Sequence, residues 1–126
     1  MKPFSVRVEL KENHSAEVTV SGAMDAHTFE QFFKATSQLI DAKTLRIVLD
    51  LREMTYITSV GINFLLNLRL QRRKAGGDMI IVKPQPAVLN ILAMIGFLEV
   101  LVVAETVEEA WAQIDNAKPP PGEQKP

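Results

Sequence analysis

Apolar and polar side chains alternate along the N-terminal part of the chain. Every second residue is apolar over residues 4–10, and the same period of two returns over residues 16–20. This alternation is typical of strands with one buried and one solvated face. The short polar stretch 11–15 between them predicts a hairpin, and Gly22 is predicted to end its second strand.

Farther along, nearly continuous apolar runs alternate with segments of helical period. The runs cover residues 45–51, 79–82 and 98–103, which suits buried strands in βαβ units. Asp25 is a candidate N-cap for a first helix over residues 26–40. Later helices are predicted over residues 59–74, from Pro86 to Gly96, and from a capping box at residues 106–109 to about residue 117.

This order of elements predicts one α/β domain over residues 1–117. It contains a mixed β-sheet with an antiparallel N-terminal edge hairpin and four α-helices. The proline-rich residues 118–126 bury too little apolar surface to offset their ordering entropy, so we expect a disordered tail there.

The amino-acid composition argues against several classes of function. The 126 residues include 14 basic and 15 acidic side chains, a balance that provides no overall field to attract nucleic acid. The absence of cysteine excludes disulfides and thiolate metal sites, and suits a reducing compartment. No apolar stretch is long enough for a signal peptide or a membrane span, so we expect a cytoplasmic protein without direct membrane insertion.

Groups suited to catalysis are sparse. His14 and His27 have no partner histidine at metal-ligand spacing, and no glycine-rich phosphate loop follows a strand. Asp25 and Asp50 together suggest an acid/base couple or a metal site, but helix caps and loop geometry explain them better. We therefore expect no enzymatic activity, no metal and no cofactor.

Residues 50–66 (DLREMTYITSVGINFLL) contain the strongest functional signal. A strand that ends near Leu51 is predicted to lead through a short loop to Ser59, where a helix begins. Regulators of parallel sheets usually act at this edge, on which Asp25 is also expected to lie. A serine here is an ordinary N-cap, and the same hydroxyl is exposed at the positive end of a helix, where phosphate is favoured. The two interpretations are compatible.

The helix over residues 59–74 has two apolar stripes. One stripe is expected to cover the sheet, whereas the other either packs on a neighbouring helix or awaits a partner. The first contains Ile62, Leu65, Leu66 and Leu70; the second contains Val60, Phe64 and Leu68, with Asn63 and Asn67 between them. We interpret Arg69, Arg72, Arg73 and Lys74 as solvated cations that complement the negative end of the helix.

Together these segments resemble the STAS domain family, particularly its single-domain bacterial anti-sigma factor antagonists. The resemblance runs over residues 4–117. Its marks are Gly22 and Asp25 before the first helix, IVLDL at 47–51, YITSVGINFLL at 56–66, KAGGDMIIVKP at 74–84, IGFLEVL at 95–101 and TVEEA at 106–110.

The resemblance implies a partner-switching function. In that family, the unphosphorylated antagonist binds an anti-sigma factor that is also a serine kinase, phosphorylation breaks the complex, and a serine phosphatase resets it. Ser59 aligns with the phospho-acceptor. The family usually has Asp-Ser-Ser-Gly where this chain has Thr58-Ser59-Val60-Gly61, which makes Thr58 a lesser candidate acceptor.

The partner-binding residues expected from this resemblance surround the acceptor. We expect a monomer or weak dimer that binds the partner through Asp25, Thr58, Val60, Gly61, Asn63 and Phe64. Two alternatives keep the fold and change the function: a non-switching STAS subunit of a larger assembly, such as a lipid-transport complex, and a nucleotide-sensing STAS module.

Overall fold

Five strands lie side by side in the order in which they occur along the chain. The structure, a computed structural model, describes residues 3–41 and 43–115; the predicted tail over residues 118–126 lies outside this range. β1 pairs antiparallel with β2, and all other neighbours are parallel. The strands are β1 (Ser5–Lys11), β2 (Ser15–Met24), β3 (Arg46–Ile57), β4 (Asp78–Val82) and β5 (Val102–Ala104).

Four helices and one 3₁₀ turn connect and cover the strands. The helices are α1 (Phe29–Asp41), α2 (Ser59–Lys74), α3 (Pro86–Met94) and α4 (Val107–Asp115), and the turn is Phe97–Glu99. The predicted α/β fold with an antiparallel edge hairpin and four helices is therefore confirmed. No helix in the described part of the chain is long and apolar enough to cross a membrane.

The core lies on both faces of the sheet. On one face, side chains of α1, α2 and α3 such as Phe32, Leu65 and Leu92 pack on β2, β3 and β4. On the other face, Ala110 and Ile114 of α4 form a smaller cluster with β3, β4 and β5. The centre of β3 is covered on both sides, which explains why residues 47–51 are almost continuously apolar.

β2 and β3 are both longer than the sequence predicted. β3 does not end near Leu51, because its last residues continue to pair with β2, up to the pair Met24 and Ile57. Register shifts after Thr19 and Gly22 interrupt the pairing and obscure the period of two in the sequence. Gly22 continues β2 with φ +84°, and a Cβ there would lie 2.9 Å from the Cα of Phe4.

The predicted strand over residues 98–103 is wrong for its first half. Gly96 has φ +78° and leads into the 3₁₀ turn, so that only residues 102–104 pair with β4. Leu98 and Leu101 contribute to the main core from the turn region rather than from a pleated strand. The apolar run therefore indicated burial correctly and backbone conformation incorrectly.

Most helix boundaries follow their local signals. α2 spans the predicted residues 59–74, and α3 begins at Pro86 as predicted. The hydroxyl of Thr106 accepts a hydrogen bond from the backbone N–H of Glu109 (3.0 Å), which confirms a cap at the start of α4. α1 begins at Phe29 rather than near residue 26, because a turn over residues 26–28 precedes it.

Three of the four cations at the end of α2 have structural partners. The buried carboxylate of Asp78 accepts hydrogen bonds from Arg69 Nε (2.9 Å) and from Arg73 Nη1 (3.0 Å). Arg72 is buried and donates from Nη1 to the carbonyl of Thr44 (2.8 Å), and burial lowers the pKa of its guanidinium. The interpretation of these arginines as solvated groups is therefore wrong. They join α2 to the beginnings of β3 and β4.

Candidate partner-binding and phosphorylation site

The carboxyl ends of β2 and β3 meet at one edge of the sheet. The backbone N–H of Thr58 donates to the carbonyl of Met24 (3.0 Å), which joins the two chain segments where they leave the sheet. Asp25 follows directly after Met24, and Ser59 follows directly after Thr58. The structure therefore brings Asp25 and Ser59 to the same edge, as the sequence predicted.

The N-cap of α2 is Thr58 rather than Ser59. Thr58 has an extended backbone, and its Oγ1 accepts a hydrogen bond from the backbone N–H of Gly61 (3.1 Å). Its carbonyl accepts the first helical bond from Ile62 (3.0 Å). The interpretation of Ser59 as the cap is thus wrong by one residue. Ser59 is the first residue of the helix, its side chain is exposed, and its hydroxyl has no capping role.

Asp25 organises the turn that leads into α1. Its Oδ1 accepts from the backbone N–H groups of His27 (2.9 Å) and Thr28 (2.8 Å), while its own N–H donates to the hydroxyl of Thr28 (2.9 Å). Asp25 therefore caps the turn over residues 26–28 that precedes α1, and not a helix that begins at residue 26 as predicted. The backbone hydrogen bond from Thr28, outweighing a weaker effect of burial, lowers the pKa of the exposed carboxyl. Asp25 therefore carries a negative charge at this edge at neutral pH.

The residues predicted to bind a partner differ in how much surface they offer. Asp25, Ser59, Val60 and Asn63 are exposed, with Val60 at 56% of its full accessibility, and Thr58 is half-buried. Gly61 is buried, and there is no room for a side chain, because a Cβ at this position would lie 2.7 Å from the sulfur of Met24. Gly61 therefore shapes the site without presenting a side chain.

Phe64 is largely occupied by an aromatic cluster with α1. Its ring meets Phe29, Phe32 and Phe33 edge-on, with centroid distances of 5.6, 5.7 and 5.6 Å. Leu68, on the same stripe of α2, is buried. Packing on a neighbouring helix therefore holds for Phe64. Leu68 belongs to the main core, and Val60 stays open to a partner.

An open apolar surface on α1 was not predicted from the sequence. Phe33 is 47% exposed and lies beside a shallow cavity of about 490 Å³, lined by Ala26, Phe29, Glu30, Phe33 and Lys34. Phe29 and Phe33 are spaced one turn apart, so their spacing signalled an aromatic face. The spacing does not show that α2 covers only part of this face and leaves Phe33 exposed.

Asp50 is separated from this edge. It lies in the middle of β3, in register with Thr19 and Val82, about 20 Å along the strand from the Thr58 end. Arg52 holds its carboxylate with two bonds, from Nε to Oδ1 (2.9 Å) and from Nη2 to Oδ2 (2.7 Å). Asp25 and Asp50 therefore form no acid/base couple. Within the described ranges, no group of three His, Asp or Glu side chains could hold a metal ion.

Known proteins match this chain over most of its length. The family model of the STAS domain matches residues 6–110. BtrV of Bordetella bronchiseptica, named as a candidate anti-sigma factor antagonist, is 29% identical over 100 residues, which cover 79% of this chain and 86% of BtrV.

Solved structures of low sequence identity share the fold. The unphosphorylated anti-sigma factor antagonist SpoIIAA superposes with a TM-score of 0.75 at 20% identity, covering 90% of this chain and 98% of SpoIIAA. Its phosphorylated form, from Bacillus, gives 0.66 at 20% identity, covering 86% and 97%. A candidate antagonist from Thermotoga maritima gives 0.78 at 15% identity, covering 87% and 94%. With the family model matching 105 consecutive residues, this chain belongs to the STAS domain family.

Proposed function

We propose that this chain is an anti-sigma factor antagonist whose binding to its partner is controlled by phosphorylation of Ser59. The observation that carries the proposal is the exposed hydroxyl of Ser59 at the start of α2, beside a Thr58 that already supplies the cap. A kinase can therefore modify Ser59 without removing a hydrogen bond on which the helix depends. Family membership and the likeness to BtrV support the same function.

The electrostatics of this position permit phosphorylation within the fold. A negative group at a helix N-terminus gains about 0.3–1 kcal/mol from the helix dipole. The first turn of α2 contains no acidic residue that would repel a phosphate from within the helix. The domain is therefore expected to stay folded when Ser59 is phosphorylated.

The same phosphate is unfavourable inside an interface. It adds a charge of about −1.5 to −2, which a bound partner would have to desolvate beside the ionised Asp25 on the same edge. This cost reaches several kcal/mol, and about 1.4 kcal/mol already corresponds to a tenfold loss of affinity. Phosphorylation therefore releases the partner while leaving the antagonist intact.

The proposed partner is an anti-sigma factor with serine kinase activity, and a serine phosphatase reverses the modification. Val60 offers the partner an apolar contact, while Asp25 and Asn63 offer a charge and an amide. The kinase and the phosphatase supply the catalytic groups of the cycle, and this chain supplies the acceptor. We place the cycle in the cytoplasm, where the kinase has access to ATP.

Two substitutions of Ser59 test this function. Ser59→Asp should weaken binding to the anti-sigma factor at least about tenfold with little change in melting temperature, as measured by titration calorimetry and thermal unfolding. Ser59→Ala should keep the affinity and abolish phosphate incorporation, as measured by intact-mass analysis after incubation with the kinase and ATP.

The matched control is Ser5→Asp, which makes the same change at an exposed serine of β1, a strand that β2 separates from β3. It should leave the affinity unchanged. Equal affinities of Ser59→Asp and the wild type would reject the switch and favour a non-switching STAS subunit. Incorporation that persists in Ser59→Ala and disappears in Thr58→Ala would move the acceptor to Thr58.

A further inference from the structure

β1 forms one edge of the sheet, and within the described ranges no strand pairs with its outer side. Its seven residues pair with β2 without a register shift, so the edge is regular along its whole length. The strand contains neither proline nor glycine, the residues that usually interrupt such an edge. Every second residue of an antiparallel edge strand directs its N–H and C=O outward, so β1 presents a row of unused hydrogen-bonding groups.

The two faces of β1 have different chemistry. Val6, Val8 and Leu10 lie on one face, where the two valines pack at the margin of the main core. Leu10, at the end of this row, is 65% exposed. Arg7, Glu9 and Lys11 lie on the other face and are exposed, and Lys11 Nζ donates to the Glu9 carboxylate along the strand (3.1 Å). A strand added at this edge would extend the apolar row over Leu10 and meet an alternation of charges on the opposite face.

The charges select one way in which two copies of β1 can pair. With a two-fold axis at Val8, Arg7 of each copy lies opposite Glu9 of the other, and Val6 lies opposite Leu10. An axis at Arg7 would place arginine opposite arginine. An axis at Glu9 would place glutamate opposite glutamate and Arg7 opposite Lys11. Directly opposed like charges destabilise a strand pair, whereas opposite charges and apolar pairs stabilise it.

We propose that the outer edge of β1 is a homodimer surface, at which two copies of this chain pair antiparallel about Val8. The pairing joins two five-stranded sheets through about six main-chain hydrogen bonds and two Arg7–Glu9 ion pairs. β2 separates β1 from β3, the strand that leads to Ser59. The dimer therefore leaves the Ser59 edge of both copies accessible, and its existence does not depend on the proposed function.

Charge reversal tests the surface and its register together. The wild-type chain should change from monomer to dimer mass as its concentration rises to about 1 mM in sedimentation equilibrium. Glu9→Arg places arginines opposite arginines, and Arg7→Glu places glutamates opposite glutamates. Each variant alone should weaken dimerisation at least about tenfold, because two attractive pairs become repulsive.

The decisive measurement is an equimolar mixture of the two single variants. In the mixture, the glutamates of one chain face the arginines of the other, so dimer mass should return. The double variant, Arg7→Glu with Glu9→Arg, should likewise dimerise with itself. Thermal unfolding of each variant checks that the fold is intact.

Two outcomes would overturn the proposal. The first is a wild-type chain that remains monomeric at about 1 mM. The second is a dimer that persists unchanged in both single variants, or a mixture that remains monomeric, since either shows that Arg7 and Glu9 do not face each other. Neither outcome affects the Ser59 switch, which is read from partner affinity.

Discussion

Thr58 and Ser59 have the same functional group in different environments. The Thr58 hydroxyl is committed to the backbone N–H of Gly61, and the residue is half-buried. The Ser59 hydroxyl is exposed and plays no part in capping. If one hydroxyl had both roles, phosphorylation would disturb the hydrogen bond that caps the helix. In this chain Thr58 caps α2, and Ser59 is the proposed phosphate acceptor.

This division of roles predicts unequal effects of two alanine substitutions. Thr58→Ala should lower the free energy of unfolding by about 1 kcal/mol, because the N–H of Gly61 loses its acceptor. Ser59→Ala should change it by less than about 0.5 kcal/mol, as is usual for an exposed residue. Urea unfolding of both variants measures the difference. Thr58→Ser retains a capping oxygen and should recover most of the loss, whereas equal losses from the two alanine variants would contradict the assignment.

Asp50 and Arg52 form the ion pair that stabilises the middle of β3. Burial raises the pKa of the Asp50 carboxyl, but the hydrogen bonds and charge of Arg52 lower it by more, so the pKa lies below its ordinary value of 3.8. A lowered pKa means that the folded state favours the carboxylate more than the unfolded state does. Its contribution to stability is complete above the ordinary value and is lost as the pH falls through the lowered pKa.

Arg52→Gln should therefore destabilise the protein in a pH-dependent way. Without the guanidinium, burial is opposed by weaker interactions, so the pKa of Asp50 should rise and the buried carboxylate should cost about 1–3 kcal/mol at neutral pH. The gap between variant and wild type should narrow as the pH falls towards 3.8, because protonation removes the buried charge. Urea unfolding between about pH 3 and pH 7 measures this gap.

The matched variant is Arg52→Lys, which keeps the positive charge and loses the two-pronged geometry. Its stability should lie between those of Arg52→Gln and the wild type. A gap between Arg52→Gln and the wild type that stays constant across the pH range would show that Arg52 acts by packing rather than through the Asp50 carboxylate.

At the scale of elements, the connection from α2 to β4 depends on two adjacent glycines for different reasons. Gly76 has φ +97° and faces open space, so only its backbone conformation favours glycine. Gly77 passes directly beneath the carbonyl of Leu45, and a Cβ there would lie 1.8 Å from that oxygen. The backbone of Asp78 then donates to the same carbonyl (3.1 Å), which fixes the start of β4 beside β3.

Alanine substitutions at these two positions should distinguish backbone strain at Gly76 from a steric clash of the new Cβ at Gly77. Gly77→Ala should destabilise the protein by about 3 kcal/mol or more, because the carbonyl of Leu45 belongs to the backbone beside β3 and cannot move aside without disturbing the sheet. Gly76→Ala should cost only about 1–2 kcal/mol, the price of a left-handed conformation for an alanine. Thermal unfolding measures the stability of both variants. Similar losses of stability would contradict the clash between a Cβ at position 77 and the carbonyl of Leu45.

Elements with local signals were predicted well, and elements decided by distant contacts were not. Pro86 and Thr106 start their helices through chemistry within a few residues of themselves, so the sequence was sufficient. The end of β3 depends on its pairing with residues 21–24, which are remote along the chain. Arg69 and Arg73 resemble solvated helix-end cations until the fold brings the buried Asp78 between them.

The same distinction holds for the candidate site. The motif around Ser59 located the start of α2, and the edge shared with Asp25 followed from the order of strands. The identity of the cap depended on backbone geometry at Thr58, a difference of one residue that composition does not resolve. The occupation of Phe64 by α1 and the exposure of Phe33 depend on how the two helices approach each other, which no local pattern specifies.

For the whole molecule, the two proposed interaction surfaces lie on different strands of one rigid sheet. The Ser59 edge lies where β2 and β3 end, and the proposed dimer surface lies along the outer side of β1. The core between them is packed on both faces of the sheet by helices from different parts of the chain. A dimer would therefore hold two acceptor serines at a fixed separation, and a dimeric partner would gain avidity from binding both.

The continuation of β3 beyond β4 also limits how this chain can vary in length. From Asp50 to Ile57, β3 takes seven residue steps where β2, from Thr19 to Met24, takes five, because two register shifts interrupt their pairing. Met54 and Ile57 are buried with two exposed residues between them, so removing either of these two would bring Ile57 to an exposed position and turn the start of α2 away from Met24. Related sequences should therefore preserve the count of residues here and show their insertions and deletions elsewhere, for example in the hairpin loop over residues 12–14.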